Sequence, residues 1–500
     1  MSINNNQASN TSKVVKGMSS QTVVTLVLGV VEIVSFSIMS RLLTQDDFGY
    51  YAAITAITIV FSTFSETGIG SAIIQQKELT KRYVDNAFTI SFLFGSFISL
   101  LLFVLAGPLS RSVADESMKF PLMLMSGTML LHCLSSVNLS LMHRKLQFLR
   151  IGSIKLVAQV ITTGIAIFLA YKGMGYYAII TKAILYSVLV YILSLFLCKT
   201  KFGFALDKGT FKRIFSFSGW LMASSLFRNL SHEIDRLLMP RLLSVTALGA
   251  YNRPKDFVEQ MSSKLNGIFD SALFPVLSSL QDNKKALESA YRRSLFLMNV
   301  FALLVTMGFM FNSELLIRIF FGEQWINLRS VMLVISCSLL FNFDGRLADC
   351  YLRSLAMTKQ QFYFRIFETV LKTVGVLIGF KWDIIGVAIS VVITNSLAKL
   401  IKIFYIGVNL DLKIIQVLGI IVTSWRYGVL MIPICVVAYV FLPHTWGGDI
   451  LNAIIYIVIT LVVFFFLPNL VGKQYHDDVY VKVIAFINKK FHLRGHKNEI

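Results

Sequence analysis

Two stretches of this chain, NAFTISFLFGSFISLLLFVLAG from Asn86 to Gly107 and ILNAIIYIVITLVVFFFLP from Ile450 to Pro468, run for about twenty residues without a charge. A helix needs about that length to cross roughly 30 Å of hydrocarbon, where lipid offers no partner for backbone N–H and C=O groups outside the helix itself. Similar runs recur along the sequence. Only 15% of its residues are charged against 55% apolar, and the mean hydropathy is +0.69; a soluble enzyme carries about a quarter charged residues. The alternating pattern of a membrane β-barrel is missing. The expected fold is an all-α integral membrane protein.

Hydropathy predicts fourteen transmembrane helices, at about residues 18–40, 46–65, 84–107, 119–142, 151–171, 176–198, 214–240, 247–272, 290–312, 328–352, 362–380, 384–408, 419–442 and 449–467. Assigned alternately, the loops place most of their Lys and Arg on the side of the N-terminus, so both termini are expected in the cytoplasm. The net charge of +20 therefore reads as a topology signal, and no nucleic-acid partner is expected. The basic connector KTKFGFALDKGTFKR, Lys199 to Arg213, divides a first lobe (1–205, helices 1 to 6) from a second (206–410, helices 7 to 12). Helices 13 and 14 (411–470) follow as accessory spans, then a basic cytoplasmic tail (471–500) in which Val479 to Lys490 suits a helix lying on an anionic leaflet. The polar N-terminal residues lack a signal-peptide cleavage site. The five cysteines show no metal-ligand spacing, and no cofactor is expected.

The chain also repeats itself. RLLTQDDFGYY, Arg41 to Tyr51, returns two hundred residues later as RLLSVTALGAY, Arg241 to Tyr251, and over 32 ungapped positions eight are identical where roughly two would arise by chance. A duplicated unit is expected, each copy of the motif joining the first two helices of a lobe. Thr44 with Asp47 three residues on is a helix-start signature, and Asp46 and Asp47 in a first turn suit the helix dipole. Those carboxylates are therefore read as caps rather than as a metal or catalytic pair.

Charges at membrane depth carry the functional signal, because each costs roughly 2.5 to 3.5 kcal/mol at a helix centre unless it meets water or a partner. In helix 7, Ser225, Arg228, His232 and Asp235 share one face, with Arg236 beside them; in helix 10, Asn342, Arg346, Asp349 and Arg353 repeat the device. Glu32, Glu66, Arg253, Lys255, Asp256 and Lys372 add polar groups in both halves. These stripes read either as internal ion pairs, such as Arg228 with Asp235 or Arg346 with Asp349, or as the lining of an aqueous cavity whose basic members suit a phosphate headgroup. The cavity reading selects Arg228, Arg236, Arg253 and Arg346 as candidate substrate contacts. It leaves Glu32, His232, Asp235 and Asp349 as candidate coupling-ion or gating groups. Lys155 and Lys182, near helix ends, are expected to snorkel. No Gly-rich phosphate loop, HExxH or GxSxG motif occurs, so an enzyme is not expected.

SRLLTQDDFGYYA followed by FSETGIGSAIIQQKELT resembles the first two helices of the oligosaccharide flippases of the polysaccharide transporter family, in particular the colanic-acid exporter type. That family belongs to the multidrug/oligosaccharidyl-lipid/polysaccharide superfamily. LMHRKLQFLR, Leu141 to Arg150, and LLIRIFFGEQW, Leu315 to Trp325, are similar to its loops after helices 4 and 9. The resemblance implies two six-helix lobes around a central cleft plus two C-terminal helices. It also implies translocation of a polyprenyl-diphosphate-linked oligosaccharide across the bacterial inner membrane by alternating access, for O-antigen, capsule or exopolysaccharide. Membrane lipid, a polysaccharide polymerase and a chain-length regulator are the implied partners. A drug/cation antiporter of the same superfamily is the alternative, and a membrane glycosyl polymerase or acyltransferase a more distant one.

Overall fold

The computed structural model describes residues 24–65, 69–76, 78–200 and 202–466; the expected polar N-terminus, Glu66 and the amphipathic helix at 479–490 lie outside them. Among the described residues the expected spans fall largely on helix. Among the described residues, eight helical stretches qualify by length and composition as membrane-crossing, or up to ten if each of two bent pairs counts as one span. The protein is thus an all-α, multi-pass membrane protein. The expected segment 328–352 is not one rod: Glu323–Ser336 and Leu339–Ser354 meet at a 40° bend. There Ser336 Oγ bonds the Met332 carbonyl at 2.7 Å while Ser338 N bonds Ile335 at 2.9 Å, so side-chain competition and short-range bonding interrupt the helical ladder.

The helices pack as two compact units. The first takes the described part of Met1–Arg253, with Ile319–Trp325 and Arg365–Val387. It contains α1 (Val24–Leu42), α2 (Gln45–Ser65), α3 (Ile69–Gln75), α4 (Lys81–Val113), α5 (Lys119–Arg144), α6 (Phe148–Tyr171), α7 (Tyr176–Cys198), α8 (Lys208–Leu242), the start of α9 (Val245–Ser279) and most of α14 (Thr358–Gly379). Its core joins Ile73, Tyr83, Ala87 and Ile90 to Val137, Leu141, Ile154 and Ala158. On α4 the opposite face exposes Leu93, Phe97, Leu100 and Val104, a stripe at helical spacing suited to hydrocarbon.

The second unit takes Pro254–Arg318, Ile326–Phe364 and the described part of Ala388–Ile500. It is built on α10 (Lys284–Phe311), with α11 (Ser313–Phe320), α12 (Arg329–Ser336), α13 (Leu339–Ser354), most of α15 (Asp383–Asn409), α16 (Ile414–Phe441) and α17 (Trp446–Phe466). Leu295, Leu303, Phe343, Leu347 and Val417 are buried in it, and Tyr291 donates to the Ile403 carbonyl at 2.7 Å.

The repeated motif organises one end of the first unit. Thr44 N and Oγ1 both donate to Asp47 Oδ2, at 3.0 and 2.8 Å, while in the second copy Ser244 Oγ accepts from Ala247 N at 3.0 Å. Each copy therefore caps the helix it starts. The starts of α2 and α9 then cross with backbones touching. A Cβ added at Gly49 would fall on the Val245 carbonyl, and one at Gly249 on the Gln45 carbonyl. Gln45 and Val245 are themselves equivalent positions of the repeat, so the contact is reciprocal, and Thr246 bonds Asp46 across it. The same end secures α1: the Ser40 carbonyl accepts from Gln324 Nε2 at 2.6 Å and Trp325 Nε1 at 2.8 Å, both from the LLIRIFFGEQW motif.

Candidate functional site

Helix α8 is 35 residues long, yet it does not qualify as an apolar span, because its charges lie where a span would be apolar. Its buried side carries a dense set of polar contacts. Lys372 from α14 reaches the α8 backbone and donates to the carbonyls of Ser231 (3.0 Å) and His232 (3.1 Å) and to Asp235 Oδ1 (3.0 Å). Asp235 Oδ2 accepts from the Tyr251 hydroxyl at 2.7 Å. Lys372 is 3% exposed and Asp235 fully buried, so the attraction acts in a low dielectric and the ammonium spends its donors on protein oxygens. One turn along, Glu233 joins Arg236 (2.9 Å) to His232 Nδ1 (2.9 Å).

Arg253, just past the repeated tyrosine, is also built into the protein. Its guanidinium lies 3.3 Å from the Phe36 ring centroid and 3.9 Å from that of Phe48, and it donates to Ser40 Oγ and the Phe36 carbonyl. A guanidinium stacked between two rings and hydrogen-bonded at its edge is a structural bolt between α9 and α1.

In the second unit, Lys402 of α15, 1% exposed, binds Asp349 Oδ1 at 3.0 Å, and Lys399 bonds Asn342 Oδ1. Buried Asp344 accepts from Asn299 Nδ2 at 3.0 Å. At another place in this unit Glu314, His444 and Asp449 come close enough to share a cation. Arg329 pairs with Glu314 and Arg318 with Asp449 at 2.9 Å, so guanidiniums already neutralise both carboxylates. This is an ion-pair network securing the start of α17.

The sequence-proposed residues thus separate into two kinds. Asp235, Arg236, Arg253 and Asp349 are buried and held by protein groups, whereas Arg228, His232, Arg346 and Glu32 are exposed. Arg228 and His232 lie one turn apart and share a face of α8. Asp235 and Asp349 each hold a lysine from another helix, Lys372 and Lys402. Lys399 and Lys402 were overlooked in the sequence; two lysines three apart in the apolar stretch LAKLIKIF were the available signal. Lys182 does not snorkel: its ammonium donates to Ser35 Oγ of α1 at 2.8 Å.

Comparison with known proteins fits this layout. Residues 38–330 match a family model described as polysaccharide biosynthesis protein. The teichuronic acid biosynthesis protein TuaB of Bacillus subtilis is 22% identical over 63% of this chain and 66% of its own length. The lipopolysaccharide biosynthesis protein WzxC of Escherichia coli is 21% identical over 85% of this chain and 87% of its own. Among solved structures, the lipid II flippase MurJ in an inward closed conformation superposes with a TM-score of 0.71 at 14% identity, covering 89% of this chain and 97% of that one. At that identity the likeness speaks for the fold alone.

Proposed function

This chain belongs to the polysaccharide biosynthesis protein family, and from that premise we propose that it is a flippase. It moves polyprenyl-diphosphate-linked oligosaccharide units across the bacterial inner membrane by alternating access, for the assembly of a surface polysaccharide. The observation that carries the reading is the sign and accessibility of the charge at depth. Arg228 and Arg346 sit exposed on helices of a membrane protein, where a cation needs water, a protein partner or an anionic ligand, and arginine matches the forked geometry of a diphosphate. Arg236 is engaged by Glu233 within α8, and Arg253 holds the start of α9 to α1.

Exchange of organic cations is disfavoured by the same layout. The carboxylates such an antiporter would offer, Asp235 and Asp349, each hold a lysine ammonium. We assign these two to gating, since each joins two helices, and exposed Glu32 and His232 to ion or proton coupling. With both termini cytoplasmic, the Gly49/Gly249 crossing is the outer seal and the substrate enters from the cytoplasmic leaflet. A polymerase and a chain-length regulator are the expected downstream partners.

Arg228→Ala and Arg346→Ala are each expected to lower export of surface polysaccharide several-fold, with the protein still present in the membrane at its normal level. Normal export in both variants would remove the arginines from the substrate path. Orientation is tested separately: a reporter fused after Lys208 should read cytoplasm and one near Gly447 the outside, and reversal of either breaks the proposed topology.

A further inference from the structure

The connector that leaves α7 is basic at both ends, but its middle, FGFAL from Phe202 to Leu206, is apolar. Lys199 takes the left-handed conformation that ends α7, and residues 202–207 then lie along α4 without helical structure until α8 begins at Lys208. Three α4 side chains hold them there. Gly203 N donates to Asp85 Oδ1 at 2.8 Å, Ala205 N to Thr89 Oγ1 at 3.0 Å and Asp207 N to Asn86 Oδ1 at 2.6 Å. Phe202 stacks on Phe88 with ring centroids 4.5 Å apart, and Phe204 meets Phe92 edge-on at 5.8 Å.

The depth of this contact is the informative feature. α4 carries no charge from Asn86 to Ser110, so the strap lies beside the start of its apolar run, and Phe92 is about 9 Å further along the axis than Asn86. Non-helical backbone at that level is tolerated only where its polar groups find protein partners, and the N–H groups of Gly203, Ala205 and Asp207 find them on α4. The same bonds account for Asn86 and Thr89, two polar residues that are buried within an apolar run. Asn86 is used at both ends, since its Nδ2 donates to the Arg82 carbonyl at 2.8 Å. Donors that alternate along an extended chain leave the residues between them facing away, and Phe204 and Leu206 are 73% and 64% exposed. Through Phe92, Phe204 joins the lipid-facing stripe of Leu93, Phe97 and Leu100 on α4.

We propose that Phe202 to Leu206 form a strap seated in the bilayer leaflet at the Lys81 end of α4, with Phe204 and Leu206 among phospholipid acyl chains. Apolar side chains gain by leaving water for the acyl boundary, and Asp85, Asn86 and Thr89 remove the cost of taking the backbone with them. Lys199, exposed just before the strap, suits the anionic headgroups above it. The join between α7 and α8 is thereby tied to the membrane rather than left in the cytosol. This assignment is independent of what the protein transports.

The test uses the full chain in lipid nanodiscs and tryptophan fluorescence. Phe204→Trp and Leu206→Trp each add one emitter, at an exposed position, to the five native tryptophans, and the added signal is read as the difference from the parent chain. It is expected to be quenched several-fold more strongly by phospholipids brominated on their acyl chains than by aqueous iodide. Lys145→Trp, at an exposed position in the turn after α5, should show the reverse order. Asp85→Ala with Thr89→Val removes two of the three acceptors on α4; combined with Phe204→Trp, this pair should shift the added signal toward iodide quenching. Iodide quenching of Phe204→Trp and Leu206→Trp equal to that of Lys145→Trp would overturn the leaflet assignment, and quenching by neither agent would do so by placing the strap against protein. Acyl-chain quenching unchanged by Asp85→Ala with Thr89→Val would overturn the role given to α4.

Discussion

Replacing Gly249 with leucine is expected to abolish export while leaving the protein in the membrane, and Gly49→Leu should do the same. Any side chain at either position meets the backbone of the opposing copy rather than the movable end of a side chain. Overpacking of this kind costs about 1 to 3 kcal/mol and occasionally more, and backbone contact puts it at the upper end. A penalty of about 3 kcal/mol borne only when the two helix starts are apposed shifts the balance against that state by about 150-fold. A cysteine at Ala250, which is 2% exposed, should then become several-fold more reactive toward a membrane-impermeant maleimide. Unchanged labelling together with unchanged export would show that the crossing is not a seal.

The second large effect concerns stability. Lys372→Met leaves Asp235 buried without its ammonium, and Asp235→Asn leaves Lys372 without its counter-charge. Breaking one side of a buried pair costs about 3 to 5 kcal/mol, so each single variant should show a markedly lower thermal midpoint in detergent and reduced abundance in the membrane. The double variant removes both charges together and should recover much of the loss, by about 1 to 3 kcal/mol relative to additivity. Strictly additive losses would mean that the pair is not the interaction that holds α14 to α8.

Much of this was legible from the sequence. Hydrophobic run length located the helices, since the hydrocarbon thickness leaves little freedom, and the two-hundred-residue offset identified the equivalent turns. The reason for glycine in both turns was not legible: it lies in the reciprocal approach of Gly49 to Val245 and Gly249 to Gln45, a property of two segments together. The candidate site was legible in its charges and not in their partners. Asp235 pairs with a residue 137 positions away and Asp349 with one 53 away, while sequence spacing favours partners on the same helix face. Arg253 illustrates the same gap. Its depth marked it as expensive, but only the fold shows that Phe36 and Phe48 stack on it from both sides.

On the proposed cycle the crossing of α2 and α9 parts and rejoins in every turnover. A latch built from long side chains must order their rotamers each time it closes, at a cost of about 0.5 to 1.5 kcal/mol for each one immobilised. Where Gly49 and Gly249 meet the opposing carbonyls, there is no rotamer to order. On the proposed cycle, closure there orders only the short side chains of Thr246 and Asp46 that bond across the crossing, so that end parts and rejoins with a small entropy change.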